Sequence, residues 1–245
     1  MYIFSFSEWG AAVENTVFVK KYSGSEPALA LSGNELRRYS GYFSPENAME
    51  DSLRELYDNV TKELLPAVEY KVCYRRMNID RSGERTVLPF GCASRDLERL
   101  LRCSDEIIIF AATAGLGIDR YIARHQLISP AKALIAQALG AERIETLCNA
   151  FCADMKDELS REGLGITPRY SPGYGDLPLE AQTDFFRLLD CSRQIGLSLN
   201  ASLLMIPSKS VTAVFGITPG AQPDTHTKGG CALCGRTDCQ FRTER

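Results

Sequence analysis

The residues best suited to chemistry in this sequence lie between Thr167 and Pro178, in the run Thr-Pro-Arg-Tyr-Ser-Pro-Gly-Tyr-Gly-Asp-Leu-Pro. Three prolines and two glycines there rule out regular helix or central strand. Proline fixes φ and glycine opens φ > 0, so the run predicts a loop held in one shape with its donors pointing the same way. Arg169 stands in it among hydroxyl side chains and backbone amides that no sheet ladder would occupy. A cation beside converging donors can cradle an anionic or zwitterionic small molecule. Composition also leaves open a plain tight connection between two helices.

A second cluster lies near the C-terminus. Cys231, Cys234 and Cys239 are spaced C-x₂-C-x₄-C. Three thiols so close could take zinc or an iron–sulfur cluster, with His226 the nearest fourth ligand. The alternative is a flexible, oxidation-prone tail. The remaining cysteines, Cys73, Cys92, Cys103, Cys148, Cys152 and Cys191, fall in apolar segments, where a free thiol behaves as a small hydrophobe. Nine cysteines, an odd number, with no basic signal-like start, predict a reducing cytoplasm and no disulfide framework. His125 and His226 are the only histidines and are expected at the surface.

Other classes are excluded by pattern. Ala114-Gly115-Leu116-Gly117-Ile118-Asp119 imitates a dinucleotide loop, but Arg120 stands where the third glycine belongs. It reads instead as a strand-to-helix turn. A net charge of −3 lacks the basic footprint of a nucleic-acid binder. No apolar run approaches the roughly 20 residues of a membrane span.

The elements that must position these residues follow from periodicity. A short helix is expected over Ser32–Tyr39, then a second opened by Ser44-Pro45-Glu46 and ended by Pro66, with Met49, Leu53, Leu56, Val60 and Leu64 as its buried stripe. Tyr70–Arg75 alternates like a strand, with Thr86–Leu88 as its hairpin partner across Asp80–Gly83. Ser94 starts a helix to about Leu101, and Glu106–Thr113 is a continuous apolar run of the kind buried on both faces. The longest helix spans 130–161, with Leu134, Ile135, Ala138, Leu147, Phe151 and Met155 on its apolar face and Gly140 as a break point. A further helix runs from Leu179 to about Gln194, and Ser202–Ile206 and Ser210–Phe215 read as the last strands. Antiparallel strands with helices gathered on one side make an α+β fold.

Taken with Leu189, Gly196-Leu197-Ser198-Leu199 and Ser202 to Val211, the Arg169–Tyr174 loop resembles the activation domain of cobalamin-dependent methionine synthase. That domain binds S-adenosylmethionine through an R-x-x-x-G-Y loop. Stand-alone proteins of the family, with R-x-S-P-G-Y-G-D-x-P-L-x-x-Q and P-x-K-S-V-T, are more similar still. The resemblance covers roughly residues 30–218. It implies a twisted antiparallel sheet with flanking helices, an N-terminal arm over 1–30, an activation-like domain over 31–218 and a flexible cysteine-containing tail over 219–245.

The resemblance also implies roles. Arg169 would take the ligand carboxylate, and a helical glutamate would take its ammonium: Glu145, with Glu142 as rival. Gly173 would admit the ligand close to the backbone, with Tyr170, Ser171, Pro172 and Tyr174 bordering it. The family's N-terminal aspartate and late aromatic pair have no secure counterpart here. The implied activity is that of a methyltransferase component: one-electron reduction of an oxidised cobalamin, trapped by the sulfonium methyl. The cobalamin-binding pattern D-x-H-x-x-G is missing, so the corrinoid is expected on a partner methionine synthase lacking its own activation domain, with a low-potential electron donor. The alternative is a non-enzymatic S-adenosylmethionine-responsive adaptor or chaperone for a corrinoid protein.

Overall fold

The computed structural model describes residues 16–31, 51–80, 90–91 and 93–220. The expected helix at 32–39, the Ser44 cap, the return strand at 86–88 and the cysteines at 231, 234 and 239 lie outside these residues.

The chain builds Phe18–Tyr22 (β1), Asp51–Leu64 (α1), Tyr70–Asn78 (β2), Arg95–Leu100 (α2), Glu106–Thr113 (β3), Gly117–His125 (α3) and Pro130–Ser160 (α4). Leu164–Ile166 (β4), Ala181–Leu189 (α5), Cys191–Ile195 (α6), Ser198–Leu199 (β5), Met205–Ile206 (β6) and Ser210–Pro219 (β7) complete it. Five strands form one sheet in the order β1-β2-β3-β7-β4, every neighbouring pair antiparallel. Strands β5 and β6 form a separate small ribbon.

Strand β3 is the axis of the molecule. It pairs along its full length with β2 on one side and β7 on the other. Ile108, Phe110 and Ala112 point to one face and meet Phe151 and Leu147 of α4 together with Phe215 of β7. Ile107, Ile109 and Ala111 point to the other and meet Leu97, Phe185, Leu189 and Ile195. Helices therefore cover both faces, not one side as the sequence reading had it. The reason is in β3 itself: a strand with one wet face alternates apolar and polar residues, and this one does not. Rings of Phe110, Phe151 and Phe215 pack at a tilt in the first core, with centroids 4.9–6.4 Å apart. A third cluster joins Val60 and Leu64 of α1 to Ile118 of α3 and Leu139 of α4.

Several sequence expectations need correction. Gly140 does not break α4; a Cβ there would lie 2.9 Å from both Ile118 and the Lys209 stem, so the missing side chain is a packing requirement. Leu134 is 58% exposed and belongs to no core. The helix expected over 179–194 is two, separated by Asp190 in the left-handed region at φ 48. Only Met205–Ile206 of the expected Ser202–Ile206 strand is extended. Ahead of it the Asn200 carboxamide oxygen accepts from the amides of Ser202 and Leu204, which curls the chain into a turn. The strand-to-helix turn expected at Ala114–Asp119 is present between β3 and α3, and any side chain at Gly117 would strike the Ala67 carbonyl.

Candidate functional site

Helix α4 provides the floor of the site. With 3.6 residues per turn, positions 145, 148, 149 and 152 share one stripe. Facing it is the chain that leaves β4. Thr167 donates its amide to the Gly216 carbonyl at 2.9 Å, and its hydroxyl oxygen accepts from the Gly216 amide at 2.9 Å. Tyr170 then exchanges two backbone bonds with Val214, at 2.8 and 2.9 Å. Pairing with β7 thus continues past the formal end of β4, and successive side chains take opposite faces. Arg169 turns toward α4, while the Tyr170 ring packs into the core beneath α5.

Arg169 meets α4 with both terminal nitrogens. Nη2 donates to Glu145 Oε2 at 2.6 Å, and Nη1 donates to Asn149 Oδ1 at 2.6 Å. The guanidinium also lies close enough to the Cys152 thiol to act on it electrostatically. The side chains of Arg169 and Glu145 keep 23% and 36% of their surface exposed, so the pair is reachable from solvent. Charge-assisted bonds are worth about 1.5–3 kcal/mol each. Water at Glu145 places this one toward the weak end of that range, within reach of displacement by a ligand. Burial pushes the Cys148 and Cys152 thiols up, against the opposing pull of Arg169. Both are poor nucleophiles in consequence.

The two rival glutamates are separated by packing. Glu142 has no exposed surface and is gripped by the Arg143 guanidinium and, at 2.9 Å, by the Thr146 hydroxyl. Arg143 in turn donates to the Leu29 carbonyl at 2.6 Å and fixes the chain after β1. Glu145 is the one that reaches the loop.

The loop is rigid, though by a different means from that expected. Its amides do not converge on an open cradle. Gly173 donates to the Leu177 carbonyl at 2.9 Å, Tyr174 to Ser171 at 3.2 Å and Leu177 to Tyr174 at 3.0 Å. The Tyr170 hydroxyl donates to the Tyr174 carbonyl at 3.1 Å. Gly175, at φ +52, lies so close to the Tyr170 hydroxyl and to Asp96 that no side chain fits. Asp176 closes the far end. Its carboxylate accepts from the Ser94 hydroxyl, from the Arg95 amide at 2.8 Å and from the Asp96 amide at 3.4 Å, at the N-terminus of α2. Those bonds, the Ser94 hydroxyl foremost, hold its carboxyl below the usual aspartate range.

Of the loop residues singled out by sequence, Pro172 is buried, Ser171 is half-buried, and Gly173 and Tyr174 are exposed, Tyr174 by 67%. Sequence reasoning missed Asn149, whose spacing of one turn from Glu145 was the available signal. It also missed the anchoring role of Asp176. His125 ends α3 with Nδ1 2.9 Å from the Tyr121 carbonyl, its ring stacked on Tyr121. Among the described residues no group of three or more His, Cys, Asp or Glu side chains could hold a metal ion. Nor is any described helix long and apolar enough to cross a membrane.

A guanidinium beside a carboxylate is the mirror of an α-amino acid, whose own carboxylate and ammonium would find opposite charges in the same places. The fold has a known counterpart. It is similar to a crystal structure of the MetH reactivation domain bound to AdoHcy, with a TM-score of 0.58 and 16% identity over 91% of this chain and 85% of that one. No curated protein sequence matches the chain. The family described as the vitamin B12-dependent methionine synthase activation domain matches residues 96–223, which contain β3, α4, the Arg169 loop and β7. With more than half of its 245 residues inside that match, the chain belongs to the vitamin B12-dependent methionine synthase activation domain family.

Proposed function

We infer that this chain binds S-adenosylmethionine at the Arg169–Glu145 pair and serves reductive methylation of an oxidised cobalamin carried by a partner methionine synthase. The observation that carries the reading is the contact itself: a half-buried guanidinium and a reachable carboxylate, 2.6 Å apart, on a loop and a helix of this family's fold. Arg169 takes the ligand carboxylate in a two-pronged bond, and Glu145 takes the ammonium. Ser171, Pro172, Gly173 and Tyr174 border the nucleoside side, held in place by Tyr170 and Asp176.

The chemistry asked of the protein is positional. A low-potential donor supplies one electron to the partner's corrinoid, and the sulfonium methyl passes to it, leaving S-adenosylhomocysteine. No proton moves, so the chain's work is to hold the ligand still and exclude water. The AdoHcy in the MetH structure is the demethylated form of that ligand, which supports the assignment.

The test is calorimetry with S-adenosylmethionine. Arg169→Ala weakens binding at least tenfold, about 1.4 kcal/mol. Unchanged affinity removes Arg169 from the site. Mixing the protein with a cobalt(II) corrinoid partner, a low-potential reductant and S-adenosylmethionine separates a reactivation module from an adaptor. The module requires all four for methyl transfer, whereas an adaptor binds the ligand and transfers nothing.

A further inference from the structure

Arg169 is not an empty anion receptor. Glu145 already occupies one of its terminal nitrogens and neutralises its charge, so a ligand carboxylate gains the full charge pairing only once that carboxylate lets go. A guanidinium released by its carboxylate partner would ordinarily swing away, since arginine carries about 2 kcal/mol of side-chain conformational freedom. Here the other terminal nitrogen is held separately. Asn149 Oδ1 accepts from Nη1 at 2.6 Å, one helical turn beyond Glu145 on the same stripe of α4.

We propose that Asn149 is a positioning residue: it keeps the Arg169 guanidinium in place while Glu145 transfers from the arginine to the ammonium of the incoming amino acid. The division of labour follows from charge. An amide oxygen orients a guanidinium without neutralising it, so the full positive charge is free for the ligand carboxylate once Glu145 leaves. A second carboxylate at position 149 would orient Arg169 equally well but compete with the ligand. Ligands that bring both a carboxylate and an ammonium complete the exchange, because each displaced charge finds a new partner. A ligand lacking the carboxylate leaves the Glu145–Arg169 bond unbroken and gains nothing from Asn149. This role rests on the binding reading above.

The experiment compares the unsubstituted protein with Asn149→Asp and Asn149→Ala, using S-adenosylhomocysteine and decarboxylated S-adenosylmethionine as calorimetric probes. Melting temperatures of all three proteins serve as the fold check. Asn149→Asp weakens S-adenosylhomocysteine at least tenfold, and Asn149→Ala weakens it three- to tenfold. Both leave the decarboxylated ligand within twofold. In the ligand-free protein, NMR of the Arg169 guanidinium shows slow rotation, which becomes fast in Asn149→Ala and stays slow in Asn149→Asp. A merely structural role would lower both ligand affinities together. Equal losses for the two ligands, S-adenosylhomocysteine affinity within twofold in both variants, or a guanidinium whose rotation ignores Asn149→Ala each overturn the proposal. Failure of the unsubstituted protein to bind either ligand overturns the functional reading and the ligand-directed role with it. The NMR measurement still identifies which residue holds Arg169.

Discussion

Two glutamates three residues apart on one helix show how residue-scale meaning depends on surroundings. Glu142 and Glu145 are equivalent in any periodicity argument, yet one is sealed with Arg143 and the other meets solvent and Arg169. The two ion pairs should respond differently to the loss of one member. Arg143→Ala strands a buried carboxylate and lowers stability by about 3–5 kcal/mol, read as an earlier midpoint in urea unfolding. Glu145→Gln costs less than about 1 kcal/mol of stability, because its pair is partly in water, but weakens S-adenosylmethionine binding severalfold in the same calorimetric assay. Equal stability losses from the two substitutions would erase the distinction. Native alkylation adds an independent check. Exposed Cys103 should react with iodoacetamide, while Cys73, Cys148 and Cys191 stay protected until the chain unfolds.

At the scale of elements, the Gly/Pro run from 167 to 178 was legible as a rigid loop, but the source of its rigidity was not. Sequence shows that the chain cannot be helix there. It does not show that Asp176 will cross to the N-terminus of α2, 82 positions back at Ser94, because nothing local marks that pairing. The same blindness hid Asp190, a non-glycine residue in left-handed geometry that divides α5 from α6. It also hid the Asn200 turn that shortens the strand at 205–206. Long regular elements carried their own signal: β3 spans Glu106–Thr113 as expected, and α4 runs through to Ser160. The docking of Asp176 gives a test with a definite sign. A depressed carboxyl contributes its bonds above its unfolded value and loses them as pH falls through its folded one. Slow exchange of the Arg95 amide should therefore persist through neutral pH and fail only below about pH 4, the unperturbed aspartate value. Asp176→Ala should abolish the protection at every pH and speed proteolysis of the loop.

Across the whole molecule, one strand between two apolar cores sets the architecture. The unbroken apolar run of β3 foretold burial on both faces, while the grouping of helices along the chain suggested one side; the side chains of β3 decided it. Phe110→Ala on one face and Ile109→Ala on the other should each cost about 2–5 kcal/mol, measured by thermal or urea unfolding. Neither change touches Arg169. The loop joins those two layers. It leaves the sheet with Arg169 against α4 and ends with Asp176 against α2, which packs on the opposite core. The loop is thus a strap buckled over the rim of the sheet, and whatever tightens one buckle is felt at the other. A small molecule seated at Arg169 would slow the breathing of the distant layer, so occupancy of the pocket is readable in amides the molecule never touches.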